Sequence, residues 1–379
     1  MRVGTEPDLL EASERPDGSR YRMPAEWEPH DAVWLQWPDR SMAGEHQMKL
    51  EATWLAMVAA MAGSVPVRAL VATEASAERL LGELAWFDLE GVVEPVVVPL
   101  DDVWARDSGP TFVVDDAGAL NVTDWNFNGW GGRFEHPNDG QVAAAIAGHL
   151  GVPHLRAVTT LEGGALEVNG SGSLIATESS IVNDNRNPGI DRSAIEAELA
   201  RYLAVENFIW LSGASKEVCD AFGDVTDWHV DIAARFTDRS TVLYCWTDDQ
   251  DDPRYPFLVA HRRQLEEATD EAGNALTLVA LPTPEVRSVS TRSYGQPAGR
   301  PVGSVTDAAY TNYLVTNGVV LVPVYGRPED EEAKAIIQEH FPDRELVGIP
   351  ALTLTEEGGA VHCVTQQQPA SVGRSPSSP

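Results

Sequence analysis

Lysine is almost missing from this sequence: Lys49, Lys216 and Lys334 are the only three, and Lys and Arg together number 27 against 58 Asp and Glu. The formal net charge of −31 repels phosphate backbones and anionic lipid, which excludes nucleic acid and membrane surfaces as partners. Cysteine is equally scarce. Cys219, Cys245 and Cys363 are odd in number and widely spaced, so they make no disulfide framework, and no Cys-x-x-Cys pair points to a zinc knuckle. No apolar run is long enough to cross a bilayer, and the opening MRVGTEPDLLEASERPDGSR lacks the apolar stretch of a signal peptide. These absences predict a soluble protein in the reducing cytoplasm. The acidity itself suits a cationic substrate, plain solubility or a salt-adapted source equally well.

What remains is ordinary for a globular chain. With 43% hydrophobic and 22% charged residues in 379, a sizeable core is expected. Aromatic and branched runs predict strands at 32–37, 67–71 and 92–99, and helical spacing predicts helices at 47–63 and 75–84. The cadence of strands and a helix recurs along the chain, in units of roughly 60–75 residues. Five units fill it. This favours one pseudo-symmetric α/β domain over 21–369, with a flexible leader at 1–20 and a flexible Ser/Pro tail at 370–379.

Four phrases concentrate polar residues near predicted strand ends: WARDSGP (104–110), LEGG (161–164), WHVD (228–231) and GGAVHC (358–363). Their key residues at 107, 162, 229 and 363 lie 55, 67 and 134 residues apart, about one, one and two units. If each unit delivers a strand end to a common axis, the phrases meet in a central cleft. Cys363 follows two glycines in a probable tight turn, which predicts an exposed thiol, whereas Cys245 in TVLYCW reads as inert core. His229 and Asp231, two apart on a predicted strand over 229–236, share a face and suit general acid–base work. Plainer readings stand beside these: Arg106–Asp107 as a structural ion pair on a loop, Glu162 as a turn carboxylate, Trp104 and Trp130 as core aromatics, and His229, Asp231 and Cys363 as metal ligands.

Three carboxylates around a thiol oppose a thiolate. At ~4 Å and an effective dielectric of ~20, each negative neighbour costs about 4 kcal/mol. A papain-like amide hydrolase has the opposite need. The arrangement makes sense when the substrate is a cation, because a guanidinium neutralises the carboxylates and donates paired hydrogen bonds to them.

The phrases MPAEWEPH (23–30), DDVWARDSGPTFV (101–113), DWNFNGWGG (124–132), LEGGALEVNG (161–170), NDNRNP (183–188), HVDIAARF (229–236) and GGAVHCVTQQQP (358–369) resemble, in order, the agmatine deiminase family and its bacterial peptidylarginine deiminase relatives. The resemblance implies the pentein fold, a five-bladed α/β propeller of pseudo-fivefold symmetry. It implies Cys363 as nucleophile, His229 as acid/base, Asp107 and Asp231 on the guanidinium nitrogens, Glu162 orienting the site, and Trp104 against the substrate, with no metal and no organic cofactor. Trp130 and Arg106 join the expected substrate-binding set. Agmatine would give N-carbamoylputrescine and ammonia through an amidino-cysteine, a step in polyamine biosynthesis.

The chain departs from the family pattern in three places. Trp228 stands where glycine is common, and its indole is expected to narrow the pocket. Ile232 replaces an Asn, and EGGAVHC replaces GGGNIHC. Free arginine, peptidyl-arginine or another guanidino compound, amidino transfer to an amine, and silent guanidinium binding therefore stay open. For arginine, Arg106 or Arg186 is the cation available to the α-carboxylate. The expected partners are a small cationic guanidino substrate and further copies of the chain in a homo-oligomer, though no interface is legible.

Overall fold

Branched and aromatic runs form the centre strand of each of five sheets: His30–Gln36, Leu120–Asp124, Ser173–Thr177, Thr241–Trp246 and Val319–Val324. Each is flanked antiparallel on one side and parallel on the other. The antiparallel partners are Thr365–Pro369, Thr111–Asp115, Glu167–Val168, Ala234–Phe236 and Leu314–Val315. The parallel partners are Val67–Val71, His154–Arg156, Asn207–Leu211, Thr277–Pro282 and Glu345–Pro350. A parallel neighbour needs a crossover, and a helix supplies it each time: Gln47–Met61, Val142–Leu150, Arg192–Leu203, Tyr255–Glu267 and Glu329–His340. The sheet around His30–Gln36 gains Val93–Val97 through the helix Glu74–Trp86, and Tyr21–Arg22 adds to the sheet around Leu120–Asp124.

The crossover helices pack apolar stripes onto the sheets. In Glu74–Trp86, Ala77, Leu80 and Leu84 are buried at helical spacing, and Thr73 caps the first turn by accepting a hydrogen bond from the Ser76 N–H. The centre strands are buried on both faces, as the unbroken Val319–Val322 run illustrates. In four sheets the antiparallel partner precedes the centre strand. In the fifth it is the late strand Thr365–Pro369, which pairs with His30–Gln36 and so joins the two ends of the chain.

This computed structural model describes residues 20–38, 46–288 and 302–372. The expected leader lies outside them up to residue 19, and Arg20 already donates its N–H to Asp116. The expected tail at 370–379 is anchored at its start. The Ala370 N–H donates to the Pro29 carbonyl at 2.7 Å and that of Val372 to Gly118 at 2.9 Å, while 373–379 lie outside the described residues. Among the described residues no helix is long and apolar enough to cross a membrane.

Candidate active site

The four polar phrases meet. Trp104 leads into a one-turn helix, Ala105–Ser108, where a loop is expected from sequence, and Glu162 precedes a 3₁₀ turn, Gly163–Ala165. Cys363 lies in the turn before Thr365–Pro369. Backbone hydrogen bonds tie these segments together: the Arg106 N–H donates to the Cys363 carbonyl at 3.1 Å, and the Gly164 N–H to Asp107 Oδ1 at 3.1 Å.

Two expectations change here. His229 and Asp231 do not share a strand face, because Val230–Ile232 is a 3₁₀ turn and the strand begins at Ala234. The approach runs through Asp227 and Trp228, both left-handed at φ 60° and 66°, and the Asp224 carboxylate takes up the Thr226 and Trp228 N–H groups that a ladder would use. The Cys363 thiol is also buried rather than exposed.

Glycine permits the close approach. A Cβ on Gly164 would lie 2.6 Å from His229 Nδ1, 3.0 Å from Asp107 Oδ1 and 3.1 Å from Asp231 Oδ2. One on Gly359 would lie 2.5 Å from the Trp104 ring and 3.1 Å from Cys363 Sγ. Any larger residue would push these groups apart.

The charges divide into satisfied and open. Glu162, fully buried, accepts twice from Arg186 Nε at 2.9 Å and meets His229 Nε2 at 3.1 Å. Arg186 also donates to Asp227 at 2.6 Å. Burial opposes charge on His229, but Asp107, Glu162 and Asp231 outweigh it and raise its pKa to about 9, so the ring is an imidazolium at neutral pH. Asp107 accepts from the Trp130 indole N–H at 2.9 Å; burial raises its pKa to about 6 against the pull of His229, whose Nδ1 is 3.7 Å away. Burial pushes hardest on Asp231, yet the His362 hydrogen bond and the fields of His362, His229 and Arg235 together outweigh it and hold the carboxyl below its ordinary range. Among the described residues Asp231 Oδ1 has no hydrogen-bond partner although it is buried. Burial, with Asp231 and Asp107, drives the Cys363 thiol well above its usual range.

A polar layer beneath these groups escaped sequence reasoning. His362 Nδ1 lies 2.8 Å from Asp231 Oδ2, and Nε2 lies 2.8 Å from Glu26 Oε2. A neutral ring donates through one nitrogen only, so serving both carboxylates takes one further proton. Arg235 pairs with Glu26 at 2.9 Å and with Glu167 at 2.6 Å. Arg106 belongs to this layer: it is buried, its Nε donates to the His362 carbonyl at 3.3 Å, and its nearest carboxylate is Glu26 at 3.8 Å. Glu26, Arg186, Arg235 and His362 all fall inside phrases singled out above. Their membership was the available signal, but a phrase does not say which side chain faces inward.

Among its lining residues, a narrow cavity beside Cys363 has His229, Asp231, Asp224, Asp307 and Asn312, with no arginine or lysine among the described residues around it. Asp107, Glu162, Trp104, Trp130 and Arg106 do not line it. Trp104 and Trp130 share a buried apolar cluster with Cys363. Among the described residues no group of three or more His, Cys, Asp or Glu is arranged to hold a metal ion.

Residues 22–369 match the family model described as Porphyromonas-type peptidyl-arginine deiminase. The chain belongs to this family. It is 38% identical to an agmatine deiminase of Pseudomonas aeruginosa strain LESB58, over 94% of this chain and 97% of that one. It is 37% identical to an agmatine deiminase of Stutzerimonas stutzeri, over 95% and 98%. The solved agmatine deiminase of Enterococcus faecalis superposes with a TM-score of 0.82 at 30% identity, covering 93% of this chain and 96% of that one.

At Trp228, where the resemblance leads to the expectation of glycine, the backbone is left-handed at φ 66°, which glycine adopts freely and tryptophan only under strain. The Trp228 indole does not narrow the pocket. It is buried away from the cavity between Phe222 and Phe257, at ring-centroid distances of 5.9 and 4.7 Å.

Proposed function

We propose that this chain hydrolyses agmatine to N-carbamoylputrescine and ammonia, with Cys363 as the nucleophile, a reaction that feeds putrescine formation. The observation that carries the reading is a buried carboxylate at the Cys363 thiol: Asp231 Oδ2 lies 3.9 Å from Sγ, and Oδ1 has no hydrogen-bond partner among the described residues. An orphaned buried carboxylate oxygen is costly unless a ligand supplies the donor. A guanidinium supplies it and neutralises the charge that keeps the thiol protonated.

The cavity chemistry narrows the substrate. Arginine carries an α-carboxylate that needs a cation, and the two candidates are committed elsewhere, Arg186 to Glu162 and Asp227, Arg106 beneath His362. Agmatine carries positive charge at both ends, which suits a cavity bordered by Asp224, Asp231 and Asp307. The relatives named agmatine deiminase support the same choice.

In the proposed reaction the bound guanidinium lets the Cys363 thiol lose its proton to solvent, and the thiolate adds to the guanidinium carbon while Asp107 and Asp231 hold its nitrogens. The His229 imidazolium gives its proton to the departing nitrogen, the C–N bond breaks, and ammonia leaves. An amidino-cysteine remains. Neutral His229 then takes a proton from water, whose oxygen attacks the same carbon. The C–S bond breaks, the thiolate returns, and the ureido product departs. Glu162 keeps His229 oriented, Trp130 holds Asp107 through its indole N–H, and Trp104 packs in the apolar cluster behind Cys363. No metal or organic cofactor takes part. The five sheets with identical pairing order are read as the blades of a pentein propeller about a pseudo-fivefold axis, in one domain.

Ammonia release from agmatine, arginine and a blocked arginyl peptide, in wild type and Cys363→Ala, tests the reading. Release from agmatine alone, lost in the variant, is the expected result. Release only from another substrate overturns the substrate, and an active Cys363→Ala overturns the mechanism.

A further inference from the structure

Asn312 lies in none of the phrases that point to chemistry, yet it touches the reacting sulfur. Its Nδ2 is 3.3 Å from Cys363 Sγ. Its Oδ1 accepts from the His362 N–H at 3.0 Å and, more weakly, from the Cys363 N–H at 3.4 Å. Its backbone carbonyl accepts from the His362 N–H as well, at 3.1 Å. The side chain is fully buried. Because Oδ1 must face these backbone donors, the amide cannot flip, and Nδ2 is obliged to face the sulfur.

We propose that Asn312 is a catalytic residue that holds the Cys363 sulfur in its thiolate form by donating an amide hydrogen bond to it. This rests on the reading of Cys363 as nucleophile. The need for such a donor is local. The ionisable groups facing the sulfur are Asp231, with Oδ2 at 3.9 Å, Asp107 from the one-turn helix, His229 and Asp307 around the cavity, and the Tyr325 hydroxyl, which donates to the Ala309 carbonyl. His229 is committed to Glu162, so it does not serve the sulfur at rest. Asn312 is the neutral side-chain N–H donor in hydrogen-bond range of the sulfur among the described residues. The same amide also serves the resting thiol, whose S–H reaches Oδ1 at 3.5 Å. Loss of the proton therefore exchanges one partner atom for the other on a fixed group, with no side-chain movement. The amide itself neither takes nor gives a proton.

The direction of the effect of Asn312→Ala on the thiol separates this role from a structural clamp. An aspartate retains the acceptor for both backbone N–H groups but replaces the donor with a further negative charge, which opposes the thiolate on its own account. Asn312→Ala removes clamp and donor together. The readout is the rate of Cys363 alkylation by iodoacetamide between pH 6 and 10, located by peptide mass spectrometry, alongside kcat and KM for agmatine. Donation to the thiolate predicts alkylation about tenfold slower in Asn312→Ala at a given pH, and slower again in Asn312→Asp. It predicts kcat lower by about 10- to 100-fold, with KM changed less than about threefold. A clamp alone predicts alkylation in Asn312→Ala at or above the wild-type rate, because a loosened turn opens the buried thiol without opposing its ionisation, and that result overturns the proposal. Unchanged alkylation in both variants overturns it too. If Asn312→Ala does not fold, Asn312→Leu, uncharged, without a donor and close to asparagine in size, is read in its place. Alkylation requires no turnover, so wild type inactive on every guanidino substrate would sink the functional reading separately.

Discussion

Glu162 and Asp231 flank the same histidine, and both are buried carboxylates, yet they are finished differently. Glu162 has Arg186 on one side and His229 on the other, so the protein itself cancels its charge. Asp231 has one oxygen on His362 and leaves the other without a donor. A charge that the fold neutralises orients its neighbours. A charge that the fold leaves open is a demand for a cation from outside. The two sides of His229 are thus an orienting side and a receiving side, and Cys363 stands on the receiving one.

The largest expected effect lies on that side. Asp231→Asn keeps shape but removes the charge, and kcat/KM for agmatine is expected to fall about 10²–10³-fold with a clear rise in KM. Glu162→Gln is expected to lower kcat with KM nearly unchanged, since it loosens only the orientation of His229. Steady-state kinetics on the pair tests the division, and equal rises in KM would erase it.

Arg186→Leu removes the cation that buried Glu162 and Asp227 share, leaving Glu162 with His229 alone and Asp227 with Arg133. It is expected to lower stability by about 3–5 kcal/mol, read from urea unfolding. An Arg186→Leu protein as stable as wild type would mean that the orienting side is not electrostatically closed.

The pH response follows from His229. Its pKa is raised in the folded state, from an ordinary value near 6.5 to about 9. Its contribution to stability is therefore fully present below about 6.5 and lost as pH rises through about 9. The melting temperature is expected to fall between pH 7 and 10, and less so in Glu162→Gln. In the proposed mechanism the proton it holds is the one the first step consumes, so kcat/KM is expected to fall across the same window. A flat melting profile would contradict the charged histidine.

The smallest effect belongs to Trp228. Since its indole packs on Phe222 and Phe257 away from the cavity, Trp228→Phe is expected to leave KM for agmatine within about twofold, in contrast to any change on the receiving side. A larger shift in KM would place the indole in the substrate path after all.

The sequence by itself determined the α/β character, the cadence of sheet and crossover helix, and the residues that gather around Cys363. Hydrophobic periodicity is local, and the polar phrases stand out against it wherever the chain leaves a strand. His229, Asp107, Asp231, Glu162 and Cys363 were legible for that reason. Only the tertiary structure decided which charges are cancelled and which are left open. Arg106 and Arg186 look alike in sequence as free cations, and both turn out to be buried against carboxylates far along the chain. Trp228 reads as a pocket wall until the backbone dihedral turns it the other way. Asn312 carries no sequence signal, because its role depends on one rotamer held by the backbone N–H groups of residues 50 and 51 positions later. Pairing between distant segments is set by packing in three dimensions, and a linear pattern holds no record of it.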